Sequence, residues 1–260
     1  MHTPDTYAAI FQQRGQAHDD AFTRYPDACR EEIAVVLRLA APRPGETLLD
    51  LPAAGGFLSR YLTTPDLNVL AVDPSPALHE LCKKRVRQSY LAPLNLLPLA
   101  DSSVDVAVCL AGLHHEPDVR SVFLEIRRVL RAGGRLAIAE VADGSAAAQF
   151  LNGFVHEHNS AGHRGQFLDD RMLDDLQRCG FLVRVNEQVH YHWPFADRAA
   201  LADCLSLMFG IDRASPQTII DAVERGPGVD ELPGGGIGMR WSLRTVLALP
   251  MAERDTGAHD

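Results

Sequence analysis

Apolar and polar positions follow two different periods along the chain, one typical of strands and one typical of helices. Over residues 119–130 the apolar side chains recur every three or four positions, which predicts an amphipathic helix capped by Asp118. Short apolar runs predict buried strands at residues 47–51, 68–72, 95–97, 104–111 and 135–141. Strands that alternate with helices in this way predict a mostly parallel sheet with helices on both faces.

The alternation ends after Val141, and the rest of the chain has a less regular pattern. An insertion rich in histidine and asparagine, a helix, a strand, a helical stretch and a last strand are predicted at residues 142–166, 168–178, 182–188, 194–226 and 239–249. Long connections in compact domains are usually functional. We therefore predict an α/β fold with a doubly wound, mostly parallel seven-stranded sheet and a helical lid over its ligand site.

These patterns divide the chain into four segments. The first holds N-terminal helices that cover the site, and in it Pro26 predicts the start of a helix that continues to Leu39. The second is the ligand-binding core, the third is a lid insertion, and the fourth completes the core, with a helical insertion at about 194–233. Their bounds are residues 1–44, 45–141, 142–167 and 168–260.

Composition narrows the possible classes of protein. An apolar fraction of 46% is ordinary for a globular protein and argues against disorder. The net charge of −9 argues against a nucleic-acid partner, since phosphate binding depends on a basic surface. No apolar run reaches the ~18 residues of a membrane helix, and the N-terminus lacks the pattern of a secretory signal. Five scattered cysteines suit a reducing compartment, so we expect a cytoplasmic protein without a membrane partner.

Four features with chemical potential follow successive predicted strands. They are the small-residue turn 50–56, Asp73, the pair Asp101-Ser102, and the run 111–115. Small residues let the backbone approach a ligand, and a carboxylate at a strand end can accept hydrogen bonds from a ribose diol. Each feature alone also fits a tight turn or a helix cap. Their placement at one strand end after another favours a shared ligand site.

The motifs that carry these features occur in an order that resembles the class I S-adenosylmethionine-dependent methyltransferases. They read LLDLPAAGG, VDPS, LPLADSSVD, LHH and LRAGGRL, at residues 48–56, 72–75, 97–105, 113–115 and 130–136. The resemblance extends over about residues 46–141 and weakly over the last two strands. It implies a Rossmann-like methyltransferase fold, with S-adenosylmethionine as cofactor bound by residues 45–141.

The resemblance also implies which residues bind the cofactor. They are Arg14, Asp50, Ala53, Gly55, Gly56, Asp73, Pro74, Asp101, Ser102 and Ala111. Among them, Asp73 would accept hydrogen bonds from the ribose hydroxyls, and Asp101 would contact the adenine amino group. Arg14 would pair with the carboxylate of the methionine part, in a charge-assisted contact.

The first loop departs from the family pattern, because Pro52 and Ala54 stand where the family usually has glycine. A non-catalytic S-adenosylmethionine-binding protein is therefore an alternative to an enzyme. A nicotinamide oxidoreductase is a third reading. The loop disfavours it, since a pyrophosphate site needs the spacing G-x-G-x-x-G, which the loop lacks.

The predicted reaction is an in-line methyl transfer to a small organic acceptor, achieved mainly by positioning. If the acceptor needs a base, His114 ranks first and His163 second as catalytic residues. His156 and His158 with His163 are considered as metal ligands, but residues two apart do not share a helical face. No metal site is therefore predicted. A homodimer is left open.

Overall fold

The computed structural model describes residues 6–251. The helices are α1 (Tyr7–Arg24), α2 (Arg30–Ala40), α3 (Pro76–Cys82), α4 (Val119–Val129), α5 (Ala146–Phe150), α6 (His156–His158), α7 (Asp170–Arg178), α8 (Arg198–Phe209) and α9 (Pro216–Arg225). The strands are β1 (Thr47–Asp50), β2 (Asn68–Asp73), β3 (Gln88–Leu91), β4 (Val104–Leu110), β5 (Leu130–Glu140), β6 (Phe181–Phe195), β7 (Val229–Glu231) and β8 (Ile237–Pro250). Short 3-10 helices span Phe57–Tyr61 and Leu113–His115, and a π-helix, Leu151–Val155, joins α5 to α6.

The strands form one sheet in the order β3-β2-β1-β4-β5-β8-β6, and the short β7 pairs with β8. The five strands from β3 to β5 are parallel, whereas β8 runs antiparallel to its neighbours β5 and β6. The prediction of a doubly wound, mostly parallel α/β sheet is confirmed. Its seven-stranded path is present, and β7 is an addition that the sequence pattern did not reveal.

Alternate residues of the central strands face two separate cores. Val106 and Val108 of β4 pack in the core that contains α2, whereas Ala107 and Cys109 pack in the core on the opposite face. Because successive side chains of a strand point to opposite faces, a strand covered on both sides must be apolar throughout. This requirement explains why residues 106–110 of β4 form a continuous apolar run.

The third strand was predicted wrongly. The prediction chose residues 95–97, but β3 is Gln88–Leu91, paired with residues 70–73 of β2. β3 lies at the edge of the sheet, so its residues are only partly buried and its sequence is partly polar. Leu96, part of the apolar run that suggested a strand, is 69% exposed and lies in the following turn.

Other boundaries also differ from the predictions. α2 starts at Arg30 rather than Pro26, because residues 26–29 form a turn. β6 continues to Phe195, through residues whose alternation with polar neighbours was not interpreted as a strand. The stretch 194–233, predicted as helical, contains α8 and α9 but also β7. None of the described helices is both long and apolar enough to cross a bilayer.

Candidate functional site

A deep cavity opens beyond the carboxyl ends of β1 and β4. Its empty space is about 960 Å³ when the part open to solvent is included. β1 and β4 are neighbours at the point where the strand order reverses, the usual ligand position in such sheets. Aromatic side chains form much of the wall: Phe11, Phe22, Phe57, Trp193, Phe209 and Trp241.

The loop after β1 borders this cavity. Asp50, Ala53 and Ala54 line it, and Asp50 is only 3% exposed. Pro52 packs against Gly112, the residue after Ala111 at the end of β4, and a Cβ on Gly112 would overlap the proline ring. The proline at a family glycine position is therefore accommodated by a glycine on the facing strand end.

Gly55 and Gly56 continue this loop with φ of +83° and +79°, backbone conformations that favour glycine. The Gly55 carbonyl accepts a hydrogen bond from Arg85 at 2.7 Å. Arg85 also forms a salt bridge with Asp19 of α1, at 2.6 Å, so it joins the loop to the N-terminal helix. Neither glycine is among the residues that line the cavity, and their role toward a cofactor stays a prediction.

Asp73, at the end of β2, is fully buried, and its carboxylate is occupied by donors from the protein itself. Its Oδ1 accepts from the Ser75 amide at 2.9 Å, and its Oδ2 accepts from the Ala54 amide at 2.8 Å. The Tyr7 hydroxyl donates to the same Oδ2 at 3.3 Å. Burial raises the pKa of Asp73 to about 7, although these hydrogen bonds oppose the shift. A ribose hydroxyl can reach this carboxylate only after Tyr7 moves away.

α1 covers the tips of β2 and the start of α3. Tyr7 and Phe11 pack with Leu78 and Leu81 in a small apolar cluster. Burial and the nearby Asp73 charge raise the pKa of Tyr7 well above its usual value, so its hydroxyl remains a donor. Pro74 follows Asp73 outside the cavity lining. The side of the site predicted to hold adenosine is therefore closed by α1.

Asp101 is not brought to the cavity. Its side chain is 78% exposed and pairs with Arg128 of α4 at 2.6 Å. Ser102 has a positive φ of 51°, and its amide donates to the Arg128 carbonyl at 3.0 Å. The prediction placed both residues directly after the third strand, but β3 ends ten positions earlier. The residue pair that follows it is Ala92-Pro93, which offers no carboxylate.

His114 lies on the turn after β4 and lines the cavity, as predicted. Its Nδ1 is 2.8 Å from Oε1 of Glu140, a fully buried carboxylate at the end of β5. Amides of Leu113 and Val141 donate to Glu140, each at 2.9 Å, and fix its position. A carboxylate that holds Nδ1–H leaves the Nε2 lone pair of the imidazole available to accept a proton or a metal.

His163, the second predicted base, also lines the cavity. Asn152, on the π-helix, holds it through a contact of 3.1 Å between its Oδ1 and Nδ1 of His163. His115 completes a group in which one nitrogen of each histidine lies within 4.8 Å of the others. Burial lowers the pKa of His163 to about 3 and that of His115 well below its usual value.

Arg14 of α1 lines the cavity too. Its Nη2 donates to the Met208 carbonyl at 2.8 Å, and burial lowers its pKa to about 10. Four buried side-chain nitrogens lack a hydrogen-bond partner among residues 6–251, and three belong to cavity residues: Nε of Arg14, Nδ1 of His18 and Nε1 of Trp193. Buried polar groups are normally paired, so these atoms are available to water or to a polar ligand in the cavity.

Sequence reasoning missed two carboxylates of this site. Glu140 ends β5, so the rule that found Asp73 at a strand end would have found it as well. Glu32 of α2 lines the cavity and accepts a hydrogen bond from Tyr191 at 3.2 Å. Burial raises the pKa of Glu32 to about 7. Its position on the apolar face of α2, one turn before Val36, was the available signal.

S-adenosylmethionine fits this site in part. The first loop, Arg14 and the backbone at Ala111 face the cavity and suit the methionine half, with unpaired nitrogens available for a polar group. The adenosine half requires that Tyr7, the first residue of α1, release Asp73, whose carboxylate is fully buried. The residues therefore match one half of the cofactor in the observed arrangement and the other half only after α1 moves.

Sequence comparisons match the core of the chain, from β1 to β5, with known methyltransferases. A family model described as a methyltransferase domain matches residues 49–138. Over 112 residues the chain is 36% identical to arsenite methyltransferase from Halobacterium salinarum, a match that covers 39% of this chain and 29% of that protein.

Solved structures resemble the chain over a greater length. An S-adenosylmethionine-dependent methyltransferase from Thermotoga maritima gives a TM-score of 0.63 at 17% identity, over 95% of this chain and 100% of that one. A 1,6-didemethyltoxoflavin-N1-methyltransferase from Burkholderia thailandensis, with 1,6-didemethyltoxoflavin and S-adenosylhomocysteine bound, gives 0.54 at 18% identity, over 97% and 92%.

The fold is that of a Rossmann-like α/β protein with a cavity at the switch point of the sheet, where such proteins usually bind their ligands. The core segment, residues 49–138, is therefore similar to a methyltransferase domain, and the solved methyltransferase structures share the fold of the chain. The chain's matches span between 29% and 58% of the length of the first curated relatives. Activity and acceptor are therefore matters of proposal.

Proposed function

We propose that this protein is an S-adenosylmethionine-dependent methyltransferase that acts on a small organic molecule bound in the cavity. The observation that carries the proposal is the His114–Glu140 pair, which places an oriented imidazole beside the loop after β1 and the end of β4. When bound, the cofactor supplies a methyl group on a sulfonium, which leaves the protein the tasks of positioning and proton transfer.

The residues that line the cavity have separate roles in this proposal: proton transfer, exclusion of water and binding of a carboxylate. Nε2 of His114 accepts the proton of an acceptor hydroxyl, amine or thiol, while Glu140 stabilises the imidazolium that results. Trp193 and Trp241, whose ring centroids are 5.0 Å apart, provide an apolar surface that excludes water from the acceptor. Arg14 offers donors to a carboxylate of the cofactor or acceptor. The named relatives that methylate arsenite or a didemethyltoxoflavin support a small acceptor.

The proposal is tested first by binding and then by turnover. Calorimetry should detect S-adenosylmethionine and S-adenosylhomocysteine but not NAD. Incubation with a library of small hydroxyl, amine and thiol compounds should release S-adenosylhomocysteine with some of them. His114→Gln should lower kcat with a reactive acceptor by about 10²–10⁴-fold. The exposed His190 provides the matched control, because His190→Gln removes a histidine outside the cavity. Equal loss in both variants would contradict the role of His114.

The closed side of the site favours one alternative, a protein that binds the cofactor or its product without turnover. The carboxylate of Asp73 already accepts three hydrogen bonds from the protein, and no acid follows β3. Binding of S-adenosylhomocysteine with no turnover over the whole library would favour this alternative. Failure of both molecules to bind would remove the cofactor from either proposal.

A further inference from the structure

Three histidines converge at the base of the cavity from two distant parts of the chain. His114 and His115 come from the turn after β4, and His163 comes from the lid segment. One ring nitrogen of each lies within 4.8 Å of the other two. The ring centroids of His114 and His115 are 4.0 Å apart, and those of His115 and His163 are 5.2 Å apart. Among residues 6–251, this is the one group of histidine, cysteine or acidic residues with metal-ligand spacing.

Two of the imidazoles are oriented by partners outside the group. Glu140 holds Nδ1 of His114 at 2.8 Å, and Asn152 holds Nδ1 of His163 at 3.1 Å. Each contact engages Nδ1 and leaves Nε2 of that ring as the nitrogen available to a metal. Metal-binding histidines show the same arrangement, in which a carboxylate or carbonyl oxygen accepts from the other ring N–H.

The backbone is shaped to hold the lid histidine close. Asn152 lies on the π-helix Leu151–Val155, a local widening that often occurs at functional sites. Its Oδ1 also accepts from the Gly165 amide at 2.8 Å, and a Cβ on Gly165 would be only 2.9 Å from the His114 ring. The lid loop can therefore reach His114 because residue 165 has no side chain.

His114, His115 and His163 are all buried, with at most 9% of each residue exposed. Within residues 6–251, no hydrogen bond is assigned to the second ring nitrogen of His114 or of His163, so a metal would displace no partner there.

We propose that His114, His115 and His163 bind one divalent transition-metal ion, and that this ion is Zn²⁺. Three histidine nitrogens with an open fourth position form the ligand set of a catalytic zinc site. A tetrahedral ion with Zn–N bonds of about 2.0–2.1 Å needs the three nitrogens about 3.3 Å apart, so the rings contract around it. The three histidines and Arg14 line the same cavity, so the fourth position would be available to the oxygen or sulfur of a small anionic ligand bound there.

This site differs from the one weighed from the sequence. There, His163 was combined with His156 and His158, and the spacing argued against a metal. In the structure, Nδ1 of His156 accepts from the His163 amide, and Nδ1 of His158 contacts the Phe154 carbonyl, each at 3.0 Å. Both are engaged elsewhere. His114 would be a ligand in the metal-loaded protein and a base in the metal-free protein, because both roles use the same lone pair of Nε2.

The test measures metal binding without cofactor or acceptor, so its outcome is separate from that of the proposed methyl transfer. Untagged protein stripped with a chelator is titrated with Co²⁺, followed by ligand-field absorption, and with Zn²⁺ in a calorimeter. One ion per chain is expected for each metal, with Zn²⁺ displacing Co²⁺ and abolishing the absorption. Absence of stoichiometric binding by the unaltered protein would overturn the proposal.

Three variants test whether the bound ion lies at the cluster of His114, His115 and His163. His163→Gln should abolish the Co²⁺ absorption, and Asn152→Ala, which keeps all three ligands, should weaken affinity by about 10–100-fold. His190→Gln, the exposed control, should bind as the unaltered protein does. Circular dichroism checks that each variant is folded. If His163→Gln retains the absorption, or if Asn152→Ala and His190→Gln have the same affinity, the ion is not at this cluster.

Discussion

The carboxyl edge of the sheet has two sides that differ in how much space they leave for a ligand. Beyond β1 and β4 lies an open cavity with oriented histidines and unpaired nitrogens. Beyond β2, α1 packs on α3, and the Tyr7 hydroxyl donates to the carboxylate of Asp73. Family motifs are spread over both sides in the sequence, yet only one side is arranged to receive a molecule. The order of the motifs therefore predicts the fold better than it predicts which motif residues are accessible to a ligand.

The largest effect should come from removing the carboxylate on the closed side. Asp73→Ala leaves the amides of Ala54 and Ser75 and the Tyr7 hydroxyl without an acceptor in a buried place. We expect a loss of about 3 kcal/mol in the free energy of unfolding, since each unpaired buried donor costs about 1–3 kcal/mol before relaxation. Urea denaturation measures it, with Asp73→Asn as the control that keeps one acceptor oxygen. A change below 1 kcal/mol for alanine would show that these contacts are weak.

A comparable effect on the open side should depend on pH. Burial raises the pKa of Glu32 to about 7, so its protonated form is favoured by the fold. The stability that this gives is fully present below about pH 4.5 and is lost as pH rises through about 7. Relative to Glu32→Gln, the unaltered protein should lose up to about 3 kcal/mol between pH 4.5 and pH 8.

Urea denaturation of the unaltered protein and of Glu32→Gln at several pH values measures this difference. All other titrating groups are the same in the two proteins, so their contributions to the free energy of unfolding cancel. The groups that face Glu32 are Tyr191 and Trp193 on β6, Cys29 before α2 and Glu140 on β5. Since Glu32→Gln changes none of them, parallel curves for the two proteins would show that Glu32 does not titrate in this range.

A smaller effect should come from the hydroxyl that closes the adenosine side. Tyr7→Phe removes the donor to Asp73 while keeping the packing of the ring. One net hydrogen bond is worth about 1 kcal/mol, so stability should fall by about that amount. Affinity for S-adenosylmethionine should rise by roughly 3–10-fold, because less free energy is needed to open the site. Calorimetry decides the sign: weaker binding would mean that Tyr7 holds the cofactor.

The smallest effect is expected at Asp101. Its carboxylate is exposed and its contact is a surface ion pair with Arg128, which itself keeps Glu125 as a partner. Asp101→Ala should therefore change stability by no more than about 0.5 kcal/mol and leave cofactor affinity unaltered. Calorimetry side by side with Asp73→Ala gives the contrast. A large loss of affinity for Asp101→Ala would restore the role that the motif resemblance implied.

The sequence determined those parts of the fold that depend on local pattern. Continuous apolar runs identified the strands covered on both faces, such as β4, and helical spacing with Asp118 identified α4, whose cap is seen in the structure. The same reasoning failed for β3, because an edge strand is partly exposed and needs no apolar run. That error displaced Asp101 from the strand end to which it had been assigned.

The contacts between residues that are distant in the sequence were decided by the tertiary structure alone. Pairing of His114 with Glu140 needs β4 and β5 side by side, and the approach of His163 needs the lid to fold back over them. Closure of Asp73 needs α1, 66 residues earlier, to lie across β2. Periodicity is a property of neighbouring residues, whereas these contacts depend on the register of the sheet and on what packs against its edge. The amino-acid order therefore fixed which chemical groups are present, and the packing fixed which of them meet.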